Sequence, residues 1–202
     1  MCFHSSRNDK SNHRSLCPAY RPIGCLLLIL LSLAGCAAPM AVSPLSLPDG
    51  FPSQHRIAAV PFSAQTDNQC GPAALAMVLQ YSGVPATASG LQAAVYTPGR
   101  KGSLQSGIVT AARRHDRLAY PIQGLDSLLR EVAAGNPVIV LQNLGLQWIP
   151  RWHYAVVIGF DLQTRSITLH SGKQPARQVA LKTFHHTWRR AEFWGLLVLP
   201  PG

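Results

Sequence analysis

The sequence predicts an α+β fold, with helices in the first half of one globular domain and an antiparallel β-sheet in the second half. The length of 202 residues and the 47% share of hydrophobic residues suit a single core preceded by a leader. Apolar residues between about positions 70 and 133 recur at helical spacing. Beyond residue 137 the apolar residues come in short continuous runs bounded by turn residues, a pattern typical of buried strands.

The start of the chain has the pattern of a secretory leader. Basic residues precede an apolar run at 23–33, which is shorter than the roughly 20 residues that a helix needs to cross a bilayer. We therefore predict a signal peptide over residues 1–35. The run ends in Leu33-Ala34-Gly35-Cys36, which resembles the lipobox of bacterial lipoproteins. That resemblance implies that Cys36 is acylated and becomes the mature N-terminus, and two or more acyl chains on one residue anchor a protein stably.

Residues 36–54 are predicted to be a flexible tether, and residues 55–202 the folded domain. Four prolines among small polar residues between 37 and 53 favour an irregular chain. Of the five cysteines, three leave with the leader and Cys36 is lipidated, so Cys70 would be the only free thiol of an exported protein. A lone thiol in an oxidising compartment is easier to explain as a nucleophile than as packing.

The elements of the first half are mostly helical. A short strand at 55–62 is ended by Pro61. Helices are predicted at 70–81, 91–95, 103–114 and 126–133, with a loop at 99–102 and a brief extended segment at 120–122. Gly83 and Gly135 end the first and the last of these helices.

The elements of the second half are mostly strands. They are predicted at 138–141, from His153 onward, at 166–169 and at 193–199. A helix at 183–190 separates the last two strands, and its Phe184 and Trp188 lie at positions i and i+4 on one face. No internal repeat is present in the sequence.

Cys70 stands where a polar loop runs into the apolar helix at 70–81. Pro72 is pre-set for a helix start, which places the helix N-terminus within a residue or two of the thiol. The unpaired N–H groups and the positive end of the helix dipole favour a thiolate over a thiol. Cys70 is therefore a candidate nucleophile, and the alternative is a small buried hydrophobic residue that precedes a helix.

Two further residues suit the chemistry of acyl transfer. His153 opens a β-branched and aromatic run, so a buried strand would hold a potential base rigidly. Gln65 lies five residues before Cys70 and can place a side-chain N–H beside the Cys70 backbone N–H. Those two donors would form an oxyanion hole, so a nucleophile, a base and an oxyanion hole are all present as candidates.

These motifs resemble the bacteriocin-processing (double-glycine) peptidase family, a branch of the papain-like cysteine peptidases. Gln65, the Cys-Gly-Pro-Ala-Ala-Leu run that starts at Cys70, and the His-Tyr-Ala-Val-Val-Ile-Gly strand that starts at His153 carry the resemblance, which covers about residues 56–175. It implies a papain-like fold with the nucleophile on the helical side, the base on the sheet side and a cleft between them. It also implies that Cys70 is the nucleophile, His153 the general base and Gln65 part of the oxyanion hole.

The chain departs from that family at the third catalytic position. The family usually has an Asp followed by Pro on the strand after the His strand, where this chain has Leu169-His170-Ser171-Gly172. Asp161 lies eight residues along the same strand from His153, roughly 25 Å away, and is expected to cap the following turn instead. A tight turn would bring His170 and Ser171 back toward His153. We assign the orienting role to His170, with Ser171 and a backbone carbonyl as alternatives.

Charge and residue spacing exclude some classes of function. The formal net charge of +10 comes from scattered pairs such as Arg113-Arg114, which are typical of solvated helix faces. A nucleic-acid partner is disfavoured by the export signal and by the lack of a recognisable module. The histidines show no metal-ligand spacing, so we predict neither a metal nor a cofactor.

The sequence therefore predicts a monomeric, lipid-anchored thiol peptidase of the cell envelope, placed on the periplasmic side of the outer membrane, that acts on a peptide or protein. One alternative is an amidase or endopeptidase that cleaves cell-wall peptide with the same chemistry. Another is a catalytically weak or inactive domain that binds peptide or a partner protein without cutting it.

Overall fold

A computed structural model describes residues 47–65 and 68–202. The predicted signal peptide, the lipidation site at Cys36 and most of the predicted tether lie outside these ranges. Within them, every helix is too short or too polar to cross a bilayer.

Seven antiparallel strands form the main sheet, in the order β4-β9-β5-β6-β7-β8, and the seventh strand, β1, pairs with the end of β6. A second sheet is the small hairpin of β2 and β3. The strands are β1 (Gln54–Arg56), β2 (Tyr96–Thr97), β3 (Gly102–Ser103), β4 (Leu118–Ile122), β5 (Val138–Asn143), β6 (Trp152–Asp161), β7 (Ser166–Ser171), β8 (Gln174–Ala180) and β9 (Gly195–Leu199).

Five α-helices accompany the sheet within the described ranges: α1 (Cys70–Tyr81), α2 (Ala88–Val95), α3 (Gln105–Arg114), α4 (Leu125–Ala133) and α5 (Leu181–Arg189). A short 3-10 helix (Pro98–Arg100) lies between β2 and β3. Helix α1 is central, because every residue from Gly71 to Leu79 is buried. A helix that is apolar all round needs partners on all sides, and α1 packs against α2, β3, β5 and β6. It ends where Gly83 adopts a φ of 87°, a left-handed conformation that glycine tolerates without strain.

The predicted α+β layout is confirmed, with small shifts in element boundaries. The first strand covers only Gln54–Arg56, and the third helix begins at Gln105 because Ser103 belongs to β3. Three strands, β2, β3 and β8, were not predicted, and a 3-10 helix at Pro98–Arg100 lies where a loop was expected. Strand β8 is polar and contains Pro175, so it lacks the apolar pattern of a strand, and the hairpin of β2 and β3 is too short to have a period.

The register of β6 and β7 decides which side chains share a face at the start of β6. Val156 lies opposite His170, so the next residue of β7, Ser171, lies level with Ala155. Successive side chains of a strand point to opposite faces. Ser171 therefore shares a face with Ala155 and His153, and His170 points to the other face.

Candidate active site

A cleft of about 960 Å³ lies where the N-terminus of α1 meets the start of β6. Gln65, Cys70 and His153 all line this cleft, so the structure brings three of the four predicted site residues together. Its remaining walls come from the segment at 100–105, the loop between β5 and β6, and residues 190–192.

Cys70 is the first residue of α1 and is half-buried. Burial raises the pKa of the Cys70 thiol above its ordinary value, and the backbone N–H groups of Tyr154, Gly71 and Cys70 itself oppose this effect only in part. The backbone donors at the helix N-terminus therefore favour the thiolate as expected, but burial outweighs them and the net shift of the pKa is upward. Desolvation of the charged form outweighs the backbone donors, and the sulfur rests as a thiol at neutral pH.

His153 is the second residue of β6 and directly precedes Tyr154. Its Nε2 lies 2.8 Å from the hydroxyl oxygen of Ser171. Burial is the main reason that the pKa of His153 is lowered to about 4, and the positive charges of Arg177 and Arg151 lower it further. The imidazole is therefore neutral at pH 7.

The structure does not bring His170 to His153. His170 is 5% exposed, and both of its ring nitrogens are engaged elsewhere: Nε2 lies 3.1 Å from the Val60 carbonyl oxygen, and Nδ1 accepts the Ala176 N–H at 3.0 Å. The physical reason is the alternation of side chains along β7, which turns His170 to the opposite face. Of the alternatives weighed from the sequence, Ser171 is the residue in contact with His153.

Gln65 is buried and held at both ends of its amide group. Its Nε2 donates to the Tyr154 carbonyl at 3.1 Å, and its Oε1 accepts the Gly172 N–H at 2.8 Å. The Gln65 backbone N–H also donates to the Gly172 carbonyl at 2.8 Å. These contacts fix the amide between the start of β6 and the end of β7, at the wall of the cleft.

Tyr154 and Ser103 also line the cleft and were not singled out from the sequence. The Tyr154 hydroxyl donates to the Ser103 carbonyl at 3.2 Å, across 51 positions of sequence. Burial is the main reason that the pKa of Tyr154 is raised, and the Cys70 charge adds to the effect. A contact between residues so far apart in the sequence leaves no spacing pattern. The one available signal was that Tyr154 directly follows His153.

The cleft is cationic. Arg100, Lys101, Arg151 and Arg190 line it, and among the described residues Glu192 is the one acidic side chain in its walls. No group of three or more His, Cys, Asp or Glu side chains within the described ranges is arranged to hold a metal ion. Asp161 lies elsewhere, where its carboxylate accepts the N–H groups of Gln163 and Thr164 and caps the turn as predicted.

Comparison with known proteins gives one family. The model of the family described as Peptidase_C39 like matches residues 57–195. No curated protein sequence matches the chain.

Solved structures share the fold at low sequence identity. One described as a C39-like peptidase from Bacillus anthracis has a TM-score of 0.61 and 18% identity, covering 74% of this chain and 98% of that one. The peptidase domain of Streptococcus ComA, a bifunctional ABC transporter of a quorum-sensing pathway, has a TM-score of 0.57 and 20% identity over 70% of this chain and 99% of that one. A double-glycine-motif protease from an AMS/PCAT transporter, in complex with the leader peptide, has a TM-score of 0.54 and 21% identity, covering 73% of this chain and 95% of that one. The predicted papain-like peptidase fold is confirmed.

Proposed function

The chain belongs to the Peptidase_C39 like family, and from this premise we propose that it is a cysteine peptidase that hydrolyses peptide bonds with Cys70 as nucleophile and His153 as general base. The observation that carries the proposal is that Cys70 and His153 line one cleft, with the Ser171 hydroxyl hydrogen-bonded to the imidazole of His153. Ser171 replaces His170 as the residue that orients the base.

The protonation states at rest fix the order of the proton transfers. A neutral imidazole has one N–H, and the tautomer that donates Nε2–H to Ser171 leaves Nδ1 as the proton acceptor. Because the thiol and the imidazole are both neutral, Cys70 transfers its proton to His153 as the sulfur attacks the substrate carbonyl carbon. The protonated His153 then gives that proton to the leaving amine. His153 next takes a proton from water as the water oxygen attacks the thioester, and the protonated His153 returns that proton to the Cys70 sulfur as the acyl group leaves.

The oxyanion formed in each attack needs donors that are already in place. The Cys70 backbone N–H lies at the N-terminus of α1, where no helical partner is available to it. The Gln65 amide nitrogen carries two N–H bonds, and the Tyr154 carbonyl accepts only one of them. The second N–H and the Cys70 amide together are the proposed oxyanion hole.

Mass spectrometry of a broad peptide library after exposure to the full chain tests the proposal. Wild-type protein should generate new peptide termini, and Cys70→Ala should generate none, because the attacking atom is lost. Ser82→Ala is a matched control, since Ser82 lies at the far end of α1 and outside the cleft. Equal cleavage by wild type and Cys70→Ala would remove the proposal.

A binding domain without catalysis is the second candidate. It is favoured by the hydroxyl of Ser171, which cannot stabilise an imidazolium as a carboxylate does, and by the protonated thiol of Cys70. In that case wild type and Cys70→Ala would bind peptides alike and neither would cut them. Calorimetric titration of peptides that bind separates this outcome from peptidase activity.

We further propose that the protein is lipid-anchored through Cys36 in the cell envelope, on the periplasmic side of the outer membrane. The lipobox-like residues before Cys36 support this address. Mass measurement of the N-terminal peptide should show an acylated Cys36 and loss of residues 1–35, and a Cys36→Ala variant should keep its leader. With this address, cell-wall peptide is an alternative substrate, and release of muropeptides from isolated peptidoglycan would identify it.

A further inference from the structure

The loop between β5 and β6 carries an apolar surface beside the cleft. We call residues 144–152 the apolar hairpin. Five of the eight large hydrophobic residues that are exposed within the described ranges belong to it: Leu144, Leu146, Trp148, Ile149 and Trp152. Trp148 is 77% exposed and Ile149 is 63% exposed. Such a cluster on a protein surface marks a site of interaction.

Several backbone groups of the apolar hairpin are hydrogen-bonded within the protein. The Leu144 N–H donates to the Arg151 carbonyl at 2.9 Å, and the Leu146 N–H donates to the Ile149 carbonyl at 3.1 Å. The Asn143 carboxamide oxygen accepts the N–H groups of Gly145 and Arg151, both at 2.9 Å. These polar groups are therefore not offered to an added peptide strand, and they can enter a medium of low dielectric at little cost.

The charges around the apolar hairpin are mostly positive, with Glu192 as the one acidic side chain that the described residues contribute to the walls of the adjoining cleft. No acidic residue occurs between positions 137 and 160. Arg151 belongs to the hairpin, and Arg190 donates to the Gly145 carbonyl. Arg100 and Lys101 line the adjoining cleft together with Trp152. Two exposed indoles with a cationic rim match an anionic phospholipid surface, where tryptophan prefers the headgroup level and basic side chains are attracted to phosphates.

We propose that the apolar hairpin contacts the surface of an anionic phospholipid bilayer and so holds the mouth of the cleft against the membrane. This contact rests neither on catalysis by Cys70 nor on acylation of Cys36. Its consequence is that the cleft receives polypeptides that lie at or near the lipid surface.

Tryptophan fluorescence of the full chain with lipid vesicles tests the contact. The probe is a vesicle containing phosphatidylglycerol, with lipids brominated along their acyl chains as quenchers. The emission of exposed tryptophan should shift to the blue and lose intensity on vesicles, because Trp148 and Trp152 enter the headgroup region. Both changes should weaken several-fold on vesicles of phosphatidylcholine alone.

Two variants make the test specific. Ile149→Glu keeps both indoles as reporters but places a carboxylate at the tip, and it should abolish the quenching. Tyr120→Glu makes the same change of charge at a residue that is 51% exposed on the edge strand β4, and it should be quenched like the wild type.

Four results would overturn the proposal. In the first, the wild-type protein associates with vesicles but the emission of its exposed tryptophans is not quenched. Another part of the chain would then make the contact with the membrane. A second is equal quenching in Ile149→Glu and Tyr120→Glu. A third is weak acrylamide quenching of Trp148 fluorescence in the absence of vesicles. Such a result would mean that another part of the chain or a second copy of the protein covers the apolar hairpin. The fourth is an emission change caused by added peptides and not by lipid.

Discussion

His153 bonds to a hydroxyl at the position where a carboxylate would stabilise its protonated form. The Ser171 oxygen lies 2.8 Å from Nε2, which orients the ring without supplying a negative charge. Burial and two nearby arginines then hold the pKa of His153 at about 4. The residue at position 171 therefore decides how readily the base keeps a proton during turnover.

We expect Ser171→Asp to raise the pKa of His153 by about one to three, because an opposite charge within bonding distance favours the imidazolium. Ser171→Ala should lower kcat by about fivefold, the value of one lost hydrogen bond near 1 kcal/mol. An NMR titration of the His153 ring protons measures the first effect and steady-state kinetics the second. Ser166→Ala, at the other end of β7, should change neither. An unchanged pKa in Ser171→Asp would mean that the contact does not exist in solution.

The raised pKa of Cys70 gives a second expectation for a single residue. Only the thiolate is alkylated, so the rate with iodoacetamide should be slow at pH 6 and rise about tenfold per pH unit toward pH 9. Glutathione treated alongside gives the rate of an ordinary thiol, and Cys70 should lag behind it at each pH. A fast rate that does not depend on pH would show a resting thiolate and contradict the burial argument.

At the scale of elements, the hairpin of β2 and β3 packs directly on the first turn of α1. A Cβ atom added to Gly71 would lie 2.3 Å from the Ser103 hydroxyl oxygen and 2.5 Å from the Ser103 Cβ. The Ser103 hydroxyl is buried, and it has no hydrogen-bond partner among the described residues. Close approach of these two small residues sets the distance between the cleft wall and the nucleophile.

We expect Gly71→Ala to destabilise the protein by about 1–3 kcal/mol, the usual cost of overpacking a well-packed site. Ser103→Gly should restore most of that loss in the double variant, because it removes both atoms that clash. Urea unfolding of the four proteins of this cycle measures the coupling.

Gly107→Ala is the control for that cycle. Gly107 lies in helix α3, and a Cβ atom added to it would meet no other atom closer than 3.7 Å. Alanine at this position should therefore leave the stability of the protein unchanged or raise it by about 0.5–1 kcal/mol. Failure of Ser103→Gly to rescue Gly71→Ala would show that the loss comes from another contact.

At the scale of the whole molecule, buried neutral histidines make stability depend on pH. The pKa of His153 is about 4 in the folded protein, and that of His170 is also lowered, mainly by burial. An unfolded imidazole has its ordinary pKa near 6.5. The unfolded chain therefore binds more protons than the folded one between pH 6.5 and pH 4, and stability falls as the pH falls through this window.

We expect the free energy of unfolding to level off near pH 7 and to lose about 3 kcal/mol to His153 alone by pH 4. Urea unfolding at several pH values measures the slope. His153→Gln should lose less stability over the same window, since glutamine does not titrate. Equal slopes in the variant and the wild type would show that the folded-state pKa of His153 is not depressed.

Much of the fold and of the site follows from local patterns. The continuous apolar stretch after Cys70 requires a buried helix, and Pro72 fixes its start. Apolar runs bounded by turn residues gave β5, β6, β7 and β9, whereas the polar strand β8 left no such signal. Cys70, His153 and Gln65 were candidates because their residue types suit acyl transfer, and they all line the cleft.

The sequence by itself determined most of the elements, the nucleophile candidate and the base candidate, because periodicity and residue chemistry are local properties. Only the tertiary structure decided that Ser171 and not His170 meets His153, since a strand's register turns adjacent side chains to opposite faces. It also decided that Cys70 rests as a thiol, because the cost of desolvation depends on which parts of the chain pack around the sulfur.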